Sequence, residues 1–126
     1  MKLAAIDIGS NAARLLITEV IENNDGKPQF TKLNLVRVPL RLGFDVFEKG
    51  EISKPRIGMI IQTMKAYSHL LNVYGVTHLK ACATSAMRDA RNSPDVIRKV
   101  KLETGISISI ISGDDEAAYV YENHIA

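Results

Sequence analysis

The sequence predicts an α/β domain built on a five-stranded mixed sheet flanked by helices, in the order β-β-β-α-β-α-β-α. Residues 3–42 hold three strand-like apolar runs, and the Asp25-Gly26 pair between the second and third is a strong hairpin signal. Residues 53–126 then alternate helical and strand patterns, which is typical of crossovers between parallel strands. With 126 residues, of which 46% are hydrophobic and 24% charged, the chain fits a single domain over residues 1–126.

The first half is predicted to be a three-stranded antiparallel meander. The first strand covers residues 3–8, the second residues 13–21 and the third residues 29–42. The apolar positions of the third strand change parity at its middle, which predicts a β-bulge near Leu35-Val36. Residues 43–53 are expected to form the longest loop.

The second half is predicted to alternate helices and strands. A helix follows the N-cap residue Ser53 and ends at Gly75 as a C-terminal cap. A strand covers residues 78–83, a second helix runs from Ser93 to Gly105, and a strand of β-branched residues covers residues 106–111. Residues 112–126 are expected to open a last helix.

Composition and charge argue against several classes of protein. A net charge of +2, without a run of five cations, argues against a nucleic-acid partner. The single cysteine, Cys82, rules out an internal disulfide and lies in an apolar run, which predicts a buried structural thiol. Asp7 interrupts the N-terminal apolar run, which argues against a signal peptide, and no stretch approaches the ~20 apolar residues that span a bilayer. We therefore expect a cytoplasmic protein with no membrane partner.

The first motif that can carry chemistry is Asp7-Ile8-Gly9-Ser10-Asn11, at the end of the first strand. Gly9 permits a tight turn, so that Ser10, Asn11 and the turn amides can converge on an anion. Asp7 can orient water or hold a divalent metal through its hydration shell. The alternative is a plain polar turn, because Gly, Ser and Asn are common turn residues, and these five residues alone favour it.

The second motif is Thr84-Ser85-Ala86-Met87-Arg88, which follows the strand over residues 78–83. Ligands of open α/β sheets bind beyond the carboxyl ends of strands, and the Arg88 guanidinium suits phosphate oxygens. A capped helix start with a solvated arginine explains these residues equally well.

The third motif is Ser112-Gly113-Asp114-Asp115-Glu116, which follows the last strand. Helix capping accounts for some of these acidic residues, but three in a row exceed what capping needs. A carboxylate near a phosphate site can position or deprotonate an attacking water, and the spacing leaves open which of the three does so. Together the three motifs supply anion donors, an arginine and a carboxylate, as phosphoryl hydrolysis requires.

The four segments that follow match, in order, the exopolyphosphatase / guanosine pentaphosphate phosphohydrolase (Ppx/GppA) family, and the resemblance spans nearly the whole chain. They are Asp7-Ile8-Gly9-Ser10-Asn11 with Arg14-Leu15-Leu16-Ile17, Arg41-Leu42-Gly43, Ala83-Thr84-Ser85-Ala86-Met87-Arg88 and Ile111-Ser112-Gly113-Asp114-Asp115-Glu116-Ala117.

This resemblance implies the actin-like ATPase, ribonuclease H-like fold. It implies Mg²⁺-dependent hydrolysis of terminal phosphate from polyphosphate, or of the 5′ phosphate from guanosine pentaphosphate, a nucleotide of the stringent response. The full-length protein is expected to be a homodimer. By position in the motifs, Glu116 matches the catalytic glutamate that activates water, and Arg88 matches a phosphate-binding arginine. The residues that match the first phosphate loop are Asp7, Gly9, Ser10 and Asn11, and Asp7 is also the candidate metal residue.

Two departures from the family pattern stand out. The segment Phe44-Asp45-Val46-Phe47 replaces a more glycine-rich and acidic loop, which is expected to change the lip of the substrate channel. The family's second phosphate loop, Asp-x-Gly-Gly-Gly-Ser-like, has no counterpart, because the chain contains no Gly-Gly pair. We therefore expect the first domain of a two-lobed phosphohydrolase, with the second lobe absent and little activity in the fragment.

Two other functions remain open. One is a fragment of a sugar or acyl kinase of the same fold superfamily, against which the match at Ser112-Gly113-x-x-Glu116 argues. The other is a non-catalytic module that binds an anion or a partner.

Overall fold

A computed structural model describes residues 1–111, which form five strands and four helices around one sheet. The elements are β1 (Lys2–Ile8), β2 (Ala13–Glu22), β3 (Pro28–Val38), α1 (Leu42–Lys49), α2 (Lys54–Tyr74), β4 (His78–Ala83), α3 (Ser85–Asp89), α4 (Ser93–Thr104) and β5 (Ile108–Ile110). The helix predicted over residues 112–126 lies outside the described residues. Among residues 1–111, no helix is long and apolar enough to cross a membrane.

The sheet has the strand order β3-β2-β1-β4-β5. The first three strands pair antiparallel, as the predicted meander requires, and Gly26 takes a left-handed φ of 79° in the β2–β3 turn. β4 pairs parallel with β1, and β5 pairs parallel with β4. The mixed five-stranded sheet is therefore confirmed, with β1 at its centre.

The core lies between the helices and the sheet face formed by alternate residues of the central strands. Ile6, Ile8 and Leu15 are almost completely buried on that face, in one cluster with residues of α2 and α4. Tyr67 of α2 reaches across the core, where its hydroxyl donates a hydrogen bond of 3.1 Å to the carbonyl of Val36 in β3. Burial raises the pKa of Tyr67 to about 12, so the hydroxyl remains a donor at neutral pH.

The predicted caps of α2 and α4 are confirmed. The Ser53 hydroxyl accepts a hydrogen bond of 3.4 Å from the amide of Arg56, and Gly75 ends α2 with a left-handed φ of 69°. Gly105 ends α4 in the same way, with a φ of 80°. These two signals worked because each depends on a single local residue.

The prediction of a loop over residues 43–53 was wrong, because residues 42–49 form helix α1. β3 correspondingly ends at Val38 and does not continue to residue 42. The helix was hard to recognise because its N-cap is Arg41, a non-glycine residue in the left-handed region at φ 54° that makes no side-chain capping bond. It also leaves both Phe44 and Phe47 exposed, which blurs its amphipathic pattern.

Three smaller predictions also need correction. The β-bulge lies where the register shifts between Ile17 and Thr18, so the extra residue is Leu33, two positions before the predicted place. β5 is three residues long, shorter than the predicted strand over residues 106–111. Residues 85–89 form a separate short helix, α3, which adds an element to the predicted order.

A charge pair ties α1 to the start of α2. Oδ1 of Asp45 accepts a hydrogen bond of 2.7 Å from Nη1 of Arg56, and Oδ2 accepts one of 2.9 Å from the amide of Ser53. Nε of Arg56 donates to the carbonyl of Leu40 at 3.2 Å. Burial alone would raise the pKa of Asp45, but the hydrogen bonds from Ser53 and the charge of Arg56 outweigh it, so the pKa lies below its ordinary value of 3.8.

We expect Asp45→Asn to lower the free energy of unfolding at pH 7 by about 1–3 kcal/mol, since a mostly buried guanidinium loses its charged partner. Because the folded pKa of Asp45 is depressed, its contribution is fully present above the unfolded pKa and is lost as the pH falls through the folded value. The gap between wild type and variant should therefore narrow below about pH 4. Denaturant unfolding measured from about pH 3, below the ordinary Asp pKa of 3.8, to about pH 7 detects both effects.

Asp95→Asn is the matched control, because Asp95 forms an exposed pair with Arg98 on α4. Its free energy of unfolding should change by less than about 0.5 kcal/mol. An equal loss in the two variants would contradict the structural role assigned to Asp45.

Candidate functional site

The candidate site lies where the carboxyl ends of the three parallel strands meet. Ile8 of β1 pairs with Ala83 of β4, which pairs with Ile110 of β5. The pairing continues beyond the strands, since the amide of Thr84 donates to the carbonyl of Ile8 at 3.1 Å and that of Ile111 donates to the carbonyl of Ala83 at 3.0 Å. The first two predicted motifs therefore start side by side, and the third starts at residue 112, directly after the described end of this edge.

The loop after β1 is held by its carbonyl groups. The amide of Gly9 closes the turn on the carbonyl of Ala12 at 2.9 Å. The carbonyl of Ser10 accepts from the amide of Gly43 at 2.9 Å, and that of Asn11 accepts from the amide of Arg41 at 2.8 Å, so the start of α1 fixes the loop. Within residues 1–111, the amides of Ser10 and Asn11 donate no hydrogen bond, so both remain as donors for an anion.

The structure brings two serines from distant parts of the chain together. The hydroxyl oxygens of Ser10 and Ser85 lie 2.6 Å apart, although 75 positions separate the residues. Ser85 opens α3 directly after the buried Thr84. Sequence reasoning placed Ser85 in a motif without selecting it, and its position two residues beyond the end of β4 was the available signal.

Arg88 reaches the same edge from α3. Its side chain is exposed, and Nη1 donates to the carbonyl of Ile111 at 2.6 Å, which draws the guanidinium to the end of β5. A guanidinium carries five N–H donors in a planar fork, a geometry that matches phosphate oxygens. The predicted arginine is therefore adjacent to the strand ends that also position the serine loop.

Asp7 lies near the end of β1, half-buried on the sheet face opposite Ile6 and Ile8. In the register of the sheet it lies directly opposite Arg14 of β2 and Cys82 of β4. Arg14 belongs to a segment that sequence reasoning quoted but did not select as part of the site. Strand pairing could have identified it, because in an antiparallel hairpin a residue just after the turn lies opposite one just before the turn.

Few of the described side chains could join Asp7 in binding a metal ion, as predicted for this residue. Among residues 1–111, no group of three or more His, Cys, Asp or Glu side chains comes together in a way that could hold a metal ion. Mg²⁺ commonly binds through one or two carboxylates, water and substrate phosphates, so a single carboxylate at Asp7 fits that mode of binding.

Cys82 is a structural residue, as predicted. Its side chain is buried, and burial raises the pKa of its thiol; Lys80 lowers that pKa and Asp7 raises it further. The thiol therefore remains neutral and is not a nucleophile.

The turn at Gly9 does not itself require glycine. Gly9 lies outside the left-handed region, and an added Cβ would lie 3.5 Å from the carbonyl oxygen of Ala12 and 3.9 Å from Oγ1 of Thr84, both ordinary contacts. Backbone strain therefore does not explain the glycine at this position. Its missing side chain leaves open space beside the loop.

Known proteins resemble this chain over most of its length. The profile of the Ppx/GppA phosphatase family matches residues 20–125. Exopolyphosphatase 1 of Mycobacterium tuberculosis is 33% identical over 121 residues, which cover 96% of this chain and 34% of the relative. A guanosine-5'-triphosphate,3'-diphosphate pyrophosphatase of Vibrio vulnificus is 29% identical over 119 residues, which cover 94% of this chain and 23% of the relative.

The fold agrees as well. The crystal structure of the Aquifex aeolicus member of the Ppx/GppA family superposes with a TM-score of 0.87 and 35% sequence identity, over 96% of this chain and 38% of that one. The described residues thus have the actin-like ATPase fold of those proteins. The chain spans about a third of the curated exopolyphosphatase and under a quarter of the pyrophosphatase.

We expect Gly9→Ala to leave the melting temperature within about 2 °C of the wild type, because the backbone accepts a side chain there. Gly75→Ala provides the contrast, since its φ of 69° disfavours alanine and should cost about 1 kcal/mol. Thermal unfolding of both variants measures the difference. A larger loss at Gly9 than at Gly75 would mean that the loop needs glycine for its own conformation.

Proposed function

The chain belongs to the Ppx/GppA phosphatase family, and on that premise we propose that its site hydrolyses a terminal phosphoanhydride bond. The substrates are inorganic polyphosphate or guanosine pentaphosphate, from which the 5′ phosphate is released. The observation that carries the proposal is the 2.6 Å contact between the hydroxyls of Ser10 and Ser85 beside Arg88, at one edge of the sheet. The family relatives named as an exopolyphosphatase and a guanosine pentaphosphate pyrophosphatase support this substrate class.

The described residues would bind the terminal phosphate by complementary donors. The amides of Ser10 and Asn11 donate to its oxygens. Of the two hydrogen-bonded serine hydroxyls, the one that accepts from the other keeps its own proton for a third bond. Arg88 balances the charge that builds up during transfer. Phosphoryl transfer needs little covalent chemistry from a protein, so positioned donors supply much of the catalysis. The rigid attachment of the loop to α1 keeps these donors in place before the substrate arrives.

Glu116 is proposed to activate the attacking water. It lies outside the described residues, and the proposal rests on its place in the family motif. In sequence it follows Ile111, whose carbonyl accepts from Arg88, by five residues. The carboxylate accepts a proton from water as the oxygen attacks the terminal phosphorus. The bond between that phosphorus and the bridging oxygen breaks, and the shortened phosphate chain leaves.

Magnesium is proposed as the cofactor, with Asp7 as the residue that would hold it through water. A bound Mg²⁺ neutralises charge on the phosphate oxygens. Asp7 is half-buried opposite Arg14 and would offer one carboxylate to Mg²⁺. Water and the substrate phosphates would supply the remaining ligands.

Glu116→Gln should lower kcat for phosphate release from polyphosphate at least 100-fold, since the amide cannot accept the proton. Glu103→Gln is the matched control, because Glu103 is an exposed residue of α4 away from the strand ends, and its kcat should stay unchanged. The measurement is inorganic phosphate release with Mg²⁺ by the full-length protein that carries these residues. Activity that survives in Glu116→Gln would move the base to another residue.

Arg88→Ala should raise KM about 10- to 100-fold, which corresponds to the loss of one or two charge-assisted hydrogen bonds. Arg98→Ala provides the comparison, because Arg98 is exposed on α4 and pairs only with Asp95 among the contacts described for its side chain. Steady-state kinetics at several salt concentrations measures the effect. Equal KM values for the two variants would remove Arg88 from the phosphate site.

Residues 1–126 alone are proposed to have little activity. This chain spans 34% of the exopolyphosphatase and 23% of the pyrophosphatase that support the assignment, so a substrate bound to this chain alone would be held from one side. Phosphate release by residues 1–126, compared with that by the full-length protein at equal concentration, tests this. Equal turnover numbers would show that the described edge and the residues after it suffice.

A further inference from the structure

Two phenylalanine side chains are exposed on the first helix. Phe44 is 64% exposed and Phe47 is 66% exposed, while the neighbouring α1 residues Leu42, Asp45 and Val46 are buried. Three positions apart on a helix, the two rings belong to one surface. Exposed large apolar side chains in a cluster commonly mark a binding surface, so this pair requires an explanation.

The ring of Phe47 lies beside the phosphate loop. The amide of Gly43 donates to the carbonyl of Ser10 at 2.9 Å, which fixes the start of α1 against the loop. A Cβ placed on Gly43 would lie 3.1 Å from Cε2 of Phe47 and 3.5 Å from Cβ of Ser10. The ring and the serine therefore both border the space beside Gly43, which the missing side chain leaves open.

The ring of Phe44 is held from one side. The guanidinium of Arg56 lies over it, 6.0 Å from the ring centroid, in a cation–π contact. Arg56 is in turn fixed by Asp45 at 2.7 Å and by the carbonyl of Leu40 at 3.2 Å. A ring supported on one face and largely exposed overall can receive a flat ligand at low entropic cost.

We propose that Phe44 and Phe47, the aromatic platform, stack against the purine base of a nucleoside polyphosphate whose terminal phosphate occupies the Gly9–Asn11 loop. A ligand that uses both features must combine an anionic chain with a flat aromatic group, and a purine nucleotide does so. Inorganic polyphosphate gains nothing from an aromatic ring. The proposal rests on the proposed function and, of its two substrates, assigns guanosine pentaphosphate to this chain.

The test compares two substrates that share a triphosphate and differ in the base. kcat/KM for phosphate release from guanosine pentaphosphate and from tripolyphosphate is measured with Mg²⁺ on the full-length protein. The double variant Phe44→Leu/Phe47→Leu keeps apolar bulk without the rings, and Phe44→Tyr/Phe47→Tyr keeps the rings. Leu102→Ala removes an apolar side chain of α4 that is more exposed than either ring, at 80%, and serves as the control.

We expect the leucine variant to lose about tenfold in kcat/KM for guanosine pentaphosphate and to stay within about twofold for tripolyphosphate. The tyrosine variant should restore the nucleotide rate, and the control should match the wild type on both substrates. This pattern cannot arise from a folding defect, because such a defect would lower both rates together.

Three results would overturn the platform. They are a nucleotide rate unaffected by the leucine substitutions, an equal loss on both substrates, and a wild type that releases phosphate from tripolyphosphate but not from the nucleotide. Each of these leaves the proposed hydrolysis standing. A wild type that releases phosphate from neither substrate would overturn the proposed function and the platform with it.

Discussion

The parallel pairing of β1 with β4 is the contact on which the candidate site depends. It runs in register from Leu3 and His78 to Ile8 and Ala83, and it joins parts of the chain separated by the meander and two helices. Closing so long a loop costs entropy, which the buried faces of both strands and of α2 offset. The same pairing sets Ser10 beside Ser85, because Ile8 pairs with Ala83 and each serine follows its strand end by two positions.

The start of α1 is the second constraint, and it carries local strain. Arg41 holds left-handed dihedral angles of 54° and 46°, which cost a non-glycine residue about 1 kcal/mol or more. The amide of Arg41 donates to Asn11 and its carbonyl accepts from Phe44, and these two bonds fix the unusual conformation. Because the strained residue shares a hydrogen bond with the Gly9–Asn11 loop, this conformation keeps the loop carbonyls turned toward the helix and leaves the amides of Ser10 and Asn11 available.

Much of the fold could be predicted because its signals are local or periodic. Ser53, Gly75 and Gly105 each mark a helix end through their own chemistry, and alternating apolar residues mark the central strands. Helix α1 could not be predicted, since neither its left-handed N-cap, Arg41, nor its exposed Phe44 and Phe47 follow a local rule.

The site was predictable in part for the same reason. A strand end followed by polar residues identified the loops after β1 and β4, whereas the selection of Ser85 and Arg14 required the register between strands, which no single segment contains. Leu33 shows the limit within one strand. The change of parity revealed a bulge, but its exact place depended on pairing with Ile17 and Thr18.

These constraints divide the site between two kinds of element. The groups proposed to contact the terminal phosphate lie at the edge of the sheet, where backbone pairing between β1, β4 and β5 fixes their positions. The side chains proposed to contact the rest of the substrate lie on the outer surface of α1, where Phe44 and Phe47 contribute little to the core. The hydrogen bonds that join the start of α1 to the loop run between backbone groups, so a substitution at Phe44 or Phe47 leaves those bonds in place. In the proposed function, preference among phosphoanhydride substrates would therefore be separable from hydrolysis itself.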